Sequence, residues 1–283
     1  MNHVQLQATI TRAFDDPDFA ETVEARAAVG ETIDLLDRGT LRVADPSPAG
    51  WTQNPWVRMA IVLYFRQTAA ETVCAGPFEY RDKVPLKRDL ERWGIRLVPP
   101  GAIRRGAFLE PGVVVMPAYV NVGAYVGAGT MIDTWATVGS CAQIGRNVHV
   151  SGGVGIGGVL EPIHQDPVII EDGVFLGSRC IVVEGVRVGR GAVLGAGTIL
   201  TASMPIVDVR GKAPQVRRGV VPPGVVVVPG SWPREFPAGR FAVPCALIVS
   251  DRGDSTDQKT QLNPDLREFP FSGTAPQGEM VDE

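Results

Sequence analysis

Histidine and cysteine are scarce in this chain of 283 residues, with three and four copies respectively. Cys74, Cys141, Cys180 and Cys245 are far apart, and their spacing matches neither a zinc site nor the disulfide framework of a small secreted domain. A zinc centre built on three histidines is disfavoured as well, because one of the three stands at position 3. We therefore expect reduced thiols, no metal site and no permanently bound cofactor.

The chain also lacks an excess of positive charge, with a formal net charge of −4 and a sequence pI near 5.5. This balance argues against nucleic acid as a partner. The longest unbroken apolar run, residues 59–65, is far shorter than the roughly 18 residues of a membrane helix. Residues 1–18 lack the charged-then-apolar plan of a signal peptide. We expect a soluble, cytoplasmic protein that does not enter a membrane.

An apolar residue does recur at nearly every sixth position between residues 108 and 200. A first series comprises Phe108, Val114, Val120, Val126, Ile132, Val138, Ile144, Val150 and Ile156. A second series, in a shifted frame, comprises Ile170, Leu176, Val182, Val188, Leu194 and Leu200. A period of six fits neither an amphipathic helix nor a simple strand. It predicts a parallel β-helix built from hexapeptides, each supplying one short strand and one corner.

Such a coil has three strands per turn, so about 18 residues separate residues that stack about 4.8 Å apart. The periodic apolar residue is then expected to point inward. The small residue four positions later suits a cramped corner, and glycine there supplies the backbone freedom that a tight corner needs. Hexapeptide proteins as a family are left-handed, and we adopt that handedness from them rather than from the spacing.

The step from Ile156 to Ile170 breaks the period, so a loop at 157–169 must interrupt the coil. It advances the chain by one strand or by two, and in both cases Ile132 and Val182 lie on different faces. We predict a mostly helical N-terminal domain at 1–100, with helices over 4–15, 20–37 and 56–68 and a loop and helix over 82–90. A coil at 101–204 follows, and then a C-terminal β region and tail at 205–283, with strands at 225–228 and 241–250.

Two outward carboxylates stand out on this coil. Asp133 follows an inward isoleucine at a position where neighbouring repeats carry Gly or Asn, and Glu184 precedes Gly185. The simplest interpretation is a turn-stabilising aspartate and a solvated glutamate. The strands that precede Asp133 and Glu184 lie on different faces of the coil. The two carboxylates can therefore approach each other only across a groove between two coils.

Two other features are weaker. Residues 153–158 match the GxGxxG expression of dinucleotide sites, but no strand-turn-helix context surrounds them, so the match is attributed to the six-residue period. A run of small residues would still let a thin ligand lie along the backbone. His164 in the loop is a candidate general base that ranks below Asp133.

Several long segments together resemble the tetrahydrodipicolinate N-succinyltransferases. They are LLDRGTLRVA at 35–44, DKVPLK at 82–87, RLVPPGAIRRGAF at 96–108, MPAYVNVGAYVGAGTM at 116–131, MIDTWATVGSCAQIG at 131–145 and SGGVGIGGVLEP at 151–162. The resemblance covers nearly the whole chain and is weakest after residue 250.

The resemblance implies roles for individual residues. Asp133 would serve in catalysis and substrate binding, and Arg96 would bind substrate. Ser140 and Gly158 would lie near the substrate, and Glu184 belongs to the family's VVEGV segment. Where some members carry a further glutamate three residues earlier, this chain has Ile181, so a mechanism with two carboxylates there is in doubt.

The implied reaction is transfer of succinyl from succinyl-CoA to the amino group of ring-opened 2-amino-6-oxopimelate, in lysine and diaminopimelate biosynthesis. A carboxylate would act as base, and Arg96 would form a bidentate contact with a substrate carboxylate. The CoA phosphates would lie near Lys212, Arg217 and Arg218, although a solvated basic run is an equal alternative. Another acyl donor, such as acetyl-CoA, and a purely structural β-helix stay open. Outward Val, Tyr and Trp side chains predict a homotrimer with its site between coils.

Overall fold

The computed structural model describes residues 1–48, 50–161 and 165–261. The helices are α1 (His3–Asp15), α2 (Pro17–Ala20), α3 (Val23–Asp37), α4 (Pro55–Gln67) and α5 (Asp254–Thr260). Two short hairpins accompany them, β1 (Ala44–Ser47) with β2 (Gly50–Gln53) and β3 (Glu71–Ala75) with β4 (Phe78–Asp82).

A parallel coil of two-residue strands forms the centre of the molecule, with three faces that the chain visits in turn. Face 1 consists of β5 (Arg96–Leu97), β8 (Val114–Val115), β11 (Met131–Ile132), β14 (His149–Val150), β17 (Phe175–Leu176) and β20 (Val193–Leu194). Face 2 consists of β6 (Ala102–Ile103), β9 (Tyr119–Val120), β12 (Thr137–Val138), β15 (Gly155–Ile156), β18 (Ile181–Val182) and β21 (Ile199–Leu200). Face 3 consists of β7 (Phe108–Leu109), β10 (Tyr125–Val126), β13 (Gln143–Ile144), β16 (Ile169–Ile170), β19 (Arg187–Val188) and β24 (Val220–Val221). The predicted parallel hexapeptide architecture is confirmed.

The inward register differs from the prediction at the first two strands of the series. Leu109 and Val115 point into the coil core, and Phe108 lies outside it with its ring 5.3 Å from that of Tyr125. Val115 and Val120 both point inward, and the corner between their strands is one residue shorter than the others. Before this corner, the inward positions therefore lie one residue later than the six-residue series predicted. From Val120 onward the predicted inward residues are the buried ones.

Gly123, Gly129 and Gly153 in the corners have φ of +77°, +70° and +68°, which is the backbone freedom expected there. The glycines that directly follow inward residues are required for another reason. None of Gly127, Gly139 and Gly145 has a positive φ. A β-carbon on Gly139 would lie 2.3 Å from the Gly158 nitrogen, and one on Gly127 would lie 2.6 Å from the Gly145 carbonyl carbon. These positions therefore exclude a side chain because the next coil passes directly over them.

The coil is longer than the six-residue period indicated. Its ladders begin at β5, before residue 101, and continue past residue 204 into β24 and the start of β25 (Val225–Phe236). Residues 201–219, where the period fails, form an insertion between β21 and β24. The 157–169 loop advances the chain by one strand, since β15 lies on face 2 and β16 on face 3.

The helical N-terminal region packs against one corner of the coil. Its core of α1, α3 and α4 side chains also contains Val122, Cys141 and Val159, which belong to the coil. The helix expected within residues 82–90 does not form. That segment makes turns and one bridge between Leu86 and Arg104, and the buried Lys87 ammonium pairs with Asp37 at 2.9 Å.

The C-terminal strands are longer than predicted. β25 pairs with β26 (Gly239–Asp251) in a hairpin that extends face 1, followed by β22 (Ile206–Asp208) and β23 (Gln215–Arg217). Within the described ranges, no helix is long and apolar enough to cross a membrane.

Candidate functional site

The predicted site residues fall on two edges of the coil that border face 2. Edge A joins face 1 to face 2 and contains the corners at 133–136, 151–154, 177–180 and 195–198. Edge B joins face 2 to face 3 and contains 139–142, the 157–168 loop, 183–186 and the 201–219 insertion.

Asp133 starts a corner of edge A and is half-buried. Its Oδ1 accepts hydrogen bonds from the Thr134 amide at 2.7 Å and the Thr134 hydroxyl at 3.2 Å. Within the described part of the chain, Oδ2 accepts none and faces Gly152, where an added β-carbon would lie 4.0 Å away. Asp133 therefore stabilises its turn through one oxygen and leaves the other open toward Gly152.

The same edge carries two strained, bulky residues that the sequence did not reveal as site candidates. Trp135 has φ +59° and is 69% exposed, and Arg179 has φ +61° and is also exposed. A non-glycine residue in this region is uncommon and costs on the order of 1 kcal/mol or more. The Arg179 side chain lies over Gly153, where a β-carbon would approach its Nε to 2.8 Å.

Arg96 lies on the outward side of face 1, two strands below Asp133. It pairs with Val114, which in turn pairs with Met131. Two inter-strand spacings amount to roughly 10 Å, so the Arg96 backbone lies within reach of one extended small molecule that also contacts edge A.

Ser140 and Gly158 meet on edge B. A β-carbon at position 158 would lie 2.4 Å from the Ser140 oxygen, and Ser140 is only 6% exposed. Its hydroxyl has no hydrogen-bond partner among the described residues. Both residues line a cavity of about 620 Å³ between α4 and the coil, together with Val62, Phe65, Arg66, Lys83, Asn121, Leu160 and Glu161.

Hydrogen-bond donors face this cavity alongside one carboxylate, Glu161. The Lys83 ammonium donates to the Phe65 carbonyl at 2.8 Å and forms no ion pair with any described residue. The Asn121 carbonyl oxygen accepts from Arg104 at 3.2 Å and from the Val122 amide at 2.9 Å, which leaves its NH₂ group available. The arrangement suits a carboxylate. The DKVPLK segment contains Lys83, but nothing in that segment shows that it faces the coil.

Glu184 also belongs to edge B, at φ +58° and exposed. Its Oε2 accepts a hydrogen bond from the Ala202 amide at 3.0 Å, one coil further on. Asp133 and Glu184 thus stand on opposite edges of face 2, as the difference in faces predicted. Between them face 2 exposes Thr137, Ile181 and Ile199.

The basic residues predicted to contact CoA occupy the edge-B insertion and its end. Lys212 is exposed. Arg217 lies 3.8 Å from Asp208, and Arg218 Nε donates to the Ser203 carbonyl at 3.0 Å. The hydrogen bond from Arg210 lowers the pKa of Asp208 to about 2. Two of the three cations therefore already have protein contacts, while Lys212 has none among the described residues.

His164, His149 and Cys141 are the remaining residues with possible acid–base or nucleophilic chemistry. His164 lies outside the described residues. His149 stacks on Phe175 on face 1, with ring centroids 4.9 Å apart. Burial raises the pKa of the Cys141 thiol to about 12, so it is no nucleophile at neutral pH.

A parallel coil of hexapeptides with a helical N-terminal region defines a hexapeptide-repeat protein, and residues 167–202 match the family model described as hexapeptide repeat of succinyl-transferase. Residues 5–67 match the model described as tetrahydrodipicolinate N-succinyltransferase N-terminal.

Curated relatives are similar in sequence to this chain along almost its whole length. A 2,3,4,5-tetrahydropyridine-2,6-dicarboxylate N-succinyltransferase of Bordetella petrii is 48% identical over 93% of this chain and 99% of its own. The proteins of that name from Ralstonia nicotianae and Parvibaculum lavamentivorans are 48% and 46% identical, over 93% and 95% of this chain and 98% and 100% of their own. This chain belongs to the 2,3,4,5-tetrahydropyridine-2,6-dicarboxylate N-succinyltransferase family.

Proposed function

We propose that this protein transfers succinyl from succinyl-CoA to the amino group of ring-opened tetrahydropyridine-2,6-dicarboxylate, in lysine and diaminopimelate biosynthesis. The observation that carries the proposal is the placement of an open carboxylate oxygen, Asp133 Oδ2, which faces Gly152 on edge A. An amine and a thioester can both approach that oxygen. Arg96 on one side and the donor-rich cavity on edge B supply groups that bind carboxylates.

The chemistry follows from these residues. The acceptor ammonium must lose a proton before its nitrogen can attack the thioester carbonyl, and Asp133 takes that proton. A C–N bond forms, the C–S bond breaks, and the CoA thiolate leaves and is protonated. Backbone N–H groups of the glycine-rich corners stabilise the oxyanion. Glu184 is proposed as a second catalytic carboxylate, reached across a groove between two coils.

Face 2 separates the two halves of this site within one chain. Asp133 and Ser140 lie on opposite edges of it. We propose that an acceptor that touches Asp133 in one coil contacts Ser140 and Gly158 of a second copy. We propose a homotrimer of left-handed coils in which Ile181 and Ile199, 40% and 42% exposed in the single chain, are covered.

Succinyl-CoA is the co-substrate, and no permanently bound cofactor is proposed. Its pantetheine arm would follow the small residues of the coil, and its phosphates would lie near Lys212, Arg217 and Arg218 on edge B. We further propose that the enzyme is cytoplasmic. Its N-terminal, coil and C-terminal parts correspond to the predicted 1–100, 101–204 and 205–283, with the coil extended to β5 at one end and to the start of β25 at the other.

A thiol-release assay with purified protein and the amino acceptor tests the activity. We expect kcat/KM with succinyl-CoA to exceed that with acetyl-CoA by at least about 100-fold. Acetyl-CoA lacks the terminal carboxylate of the succinyl group, so the protein group that binds this carboxylate would be left unpaired. Equal or reversed values would overturn the donor assignment, and no release with either donor would overturn the reaction.

A further inference from the structure

A second cavity lies on face 3, away from edges A and B. It measures about 540 Å³ and is enclosed by the β1–β2 hairpin on one side and the coil on the other. Its walls carry Arg42, Trp51, Glu110, Tyr125, Arg146, Glu171, Asp172, Arg187 and Arg190, with prolines at the hairpin. None of these residues takes part in the proposed reaction.

The three carboxylates of the cavity are already bound by the protein. Glu110 accepts from the Tyr125 hydroxyl, the Ala128 amide and both Nε and Nη2 of Arg146, at 2.7 to 3.0 Å. Glu171 accepts from Arg187 Nε at 2.7 Å. Each therefore has a positive partner and no need of a ligand.

Asp172 is the third carboxylate, and it too has partners. It accepts from the Arg146 amide at 2.9 Å and lies 3.6 Å from the Arg190 guanidinium. With these pairings made, the charged side chains that line the cavity balance except for one cation, Arg42. Asp45 lies outside the lining, where its Oδ2 accepts from the Asn54 amide at 2.8 Å, and its charge favours the protonated form of Arg42 without a hydrogen bond between them.

Arg42 is held rigidly but incompletely satisfied. Its guanidinium carbon stands 3.5 Å from the Tyr125 ring centre, and its Nε donates to Gln143 Oε1 at 3.0 Å. Gln143 is fully buried, and its NH₂ group donates to the carbonyl of Cys141 at 2.9 Å, so its oxygen must face Arg42. The Nη1 and Nη2 groups have no partner among the described residues, and Arg42 forms no ion pair there.

Burial lowers the pKa of Arg42, yet a guanidinium stays charged at any physiological pH. A partly buried cation with free donors is unfavourable unless an anion or water satisfies it. Its planar fork matches a carboxylate, and the adjacent Trp51 and Tyr125 rings and prolines suit a short organic chain. A phosphate dianion would need a second unpaired cation, and none lines this cavity among the described residues.

We propose that this cavity is a second ligand site, which binds a small organic carboxylate through Arg42 independently of the reaction site. The ligand's carboxylate accepts from Nη1 and Nη2, and its remainder lies between Trp51 and the hairpin prolines. Because the site joins the N-terminal hairpin to the coil, a bound ligand would strengthen that contact.

Hydrogen exchange read by mass spectrometry tests this on the full-length protein, with propionate, succinate and L-alanine as separate probes and inorganic phosphate as the contrasting anion. We expect at least one carboxylate to slow exchange in peptides covering 41–53, in the wild type and equally in Asp133→Asn. No protection there by any carboxylate, or tighter binding of phosphate, would overturn the proposal.

Calorimetric titration of variants locates the ligand. Arg42→Gln should weaken binding of the responding carboxylate at least 10-fold. Arg12→Gln is the matched control, because Arg12 also stacks on a ring, that of Phe19 at 3.8 Å, but lies outside the cavity; its affinity should equal that of the wild type. Unchanged affinity in Arg42→Gln would overturn the assignment of Arg42 as the carboxylate-binding residue. If that variant does not fold, the hydrogen-exchange result on the wild type is the test.

Discussion

The Ser140 hydroxyl lies directly over the backbone of Gly158, so closely that a β-carbon at 158 would stand 2.4 Å from the oxygen and 2.8 Å from the Ser140 nitrogen. The 157–168 loop leaves the coil at this contact. The pair therefore forms part of the wall of the edge-B cavity.

Gly158→Ala should force Ser140 and residue 158 apart, because the added methyl group would overlap the Ser140 backbone as well as its side chain. We expect turnover to fall at least 10-fold and the melting temperature to drop. Gly30→Ala in α3 is the control, since nothing lies within 4 Å of its added β-carbon and alanine favours a helix; it should be neutral or slightly stabilising. Normal turnover in Gly158→Ala would remove this contact from the site.

Asp133→Asn preserves the size of the side chain and the acceptor for the Thr134 amide but cannot take a proton at neutral pH. We expect turnover to fall by about 10²-fold or more, on the scale of a lost general base, with the melting temperature nearly unchanged. Near-normal turnover would leave Asp133 as a turn residue only, and would shift attention to Glu184. Glu184→Gln, which can still accept from Ala202, then becomes the decisive variant.

Lys83→Gln removes the charge from the edge-B cavity while an amide can still donate to the Phe65 carbonyl. If the cavity binds a carboxylate of the acceptor, the acceptor KM should rise about 10-fold or more while the succinyl-CoA KM stays constant. Lys212→Gln serves as the contrasting variant, because the CoA assignment predicts the opposite pattern. An unchanged acceptor KM with a lowered melting temperature would mean that Lys83 only holds the β3–β4 hairpin against α4 and does not bind the acceptor.

Asp208 should contribute to acid stability. Its folded pKa of about 2 lies below its ordinary 3.8 because Arg210 binds the ionised form. The stabilisation is therefore complete above about pH 4 and is lost as pH falls toward 2. Unfolding free energies measured over this interval should decline less steeply in Asp208→Asn than in the wild type. Parallel slopes would mean that the ion pair persists in the unfolded chain or contributes nothing.

The sequence by itself determined the coil, because a buried residue at every sixth position satisfies no other regular structure, and the ladder pairings confirm it. It also determined that Asp133 and Glu184 lie on different faces, since that follows from counting strands. The family followed from long motifs such as 131–145.

Only the tertiary structure decided the rest. The corner between Val115 and Val120, which is one residue shorter than the others, moved the inward register, because either neighbour in Phe108–Leu109 or Val114–Val115 is apolar enough to fill the core. The resumption of the coil at Val220 was hidden by an insertion of polar residues. The sequence around Lys83 and Arg42 does not indicate that either residue belongs to a binding site. Each became a candidate only when a helix or hairpin from the N-terminal region packed against the coil and left its charge facing an enclosed space, a relationship between segments that no spacing along the chain encodes.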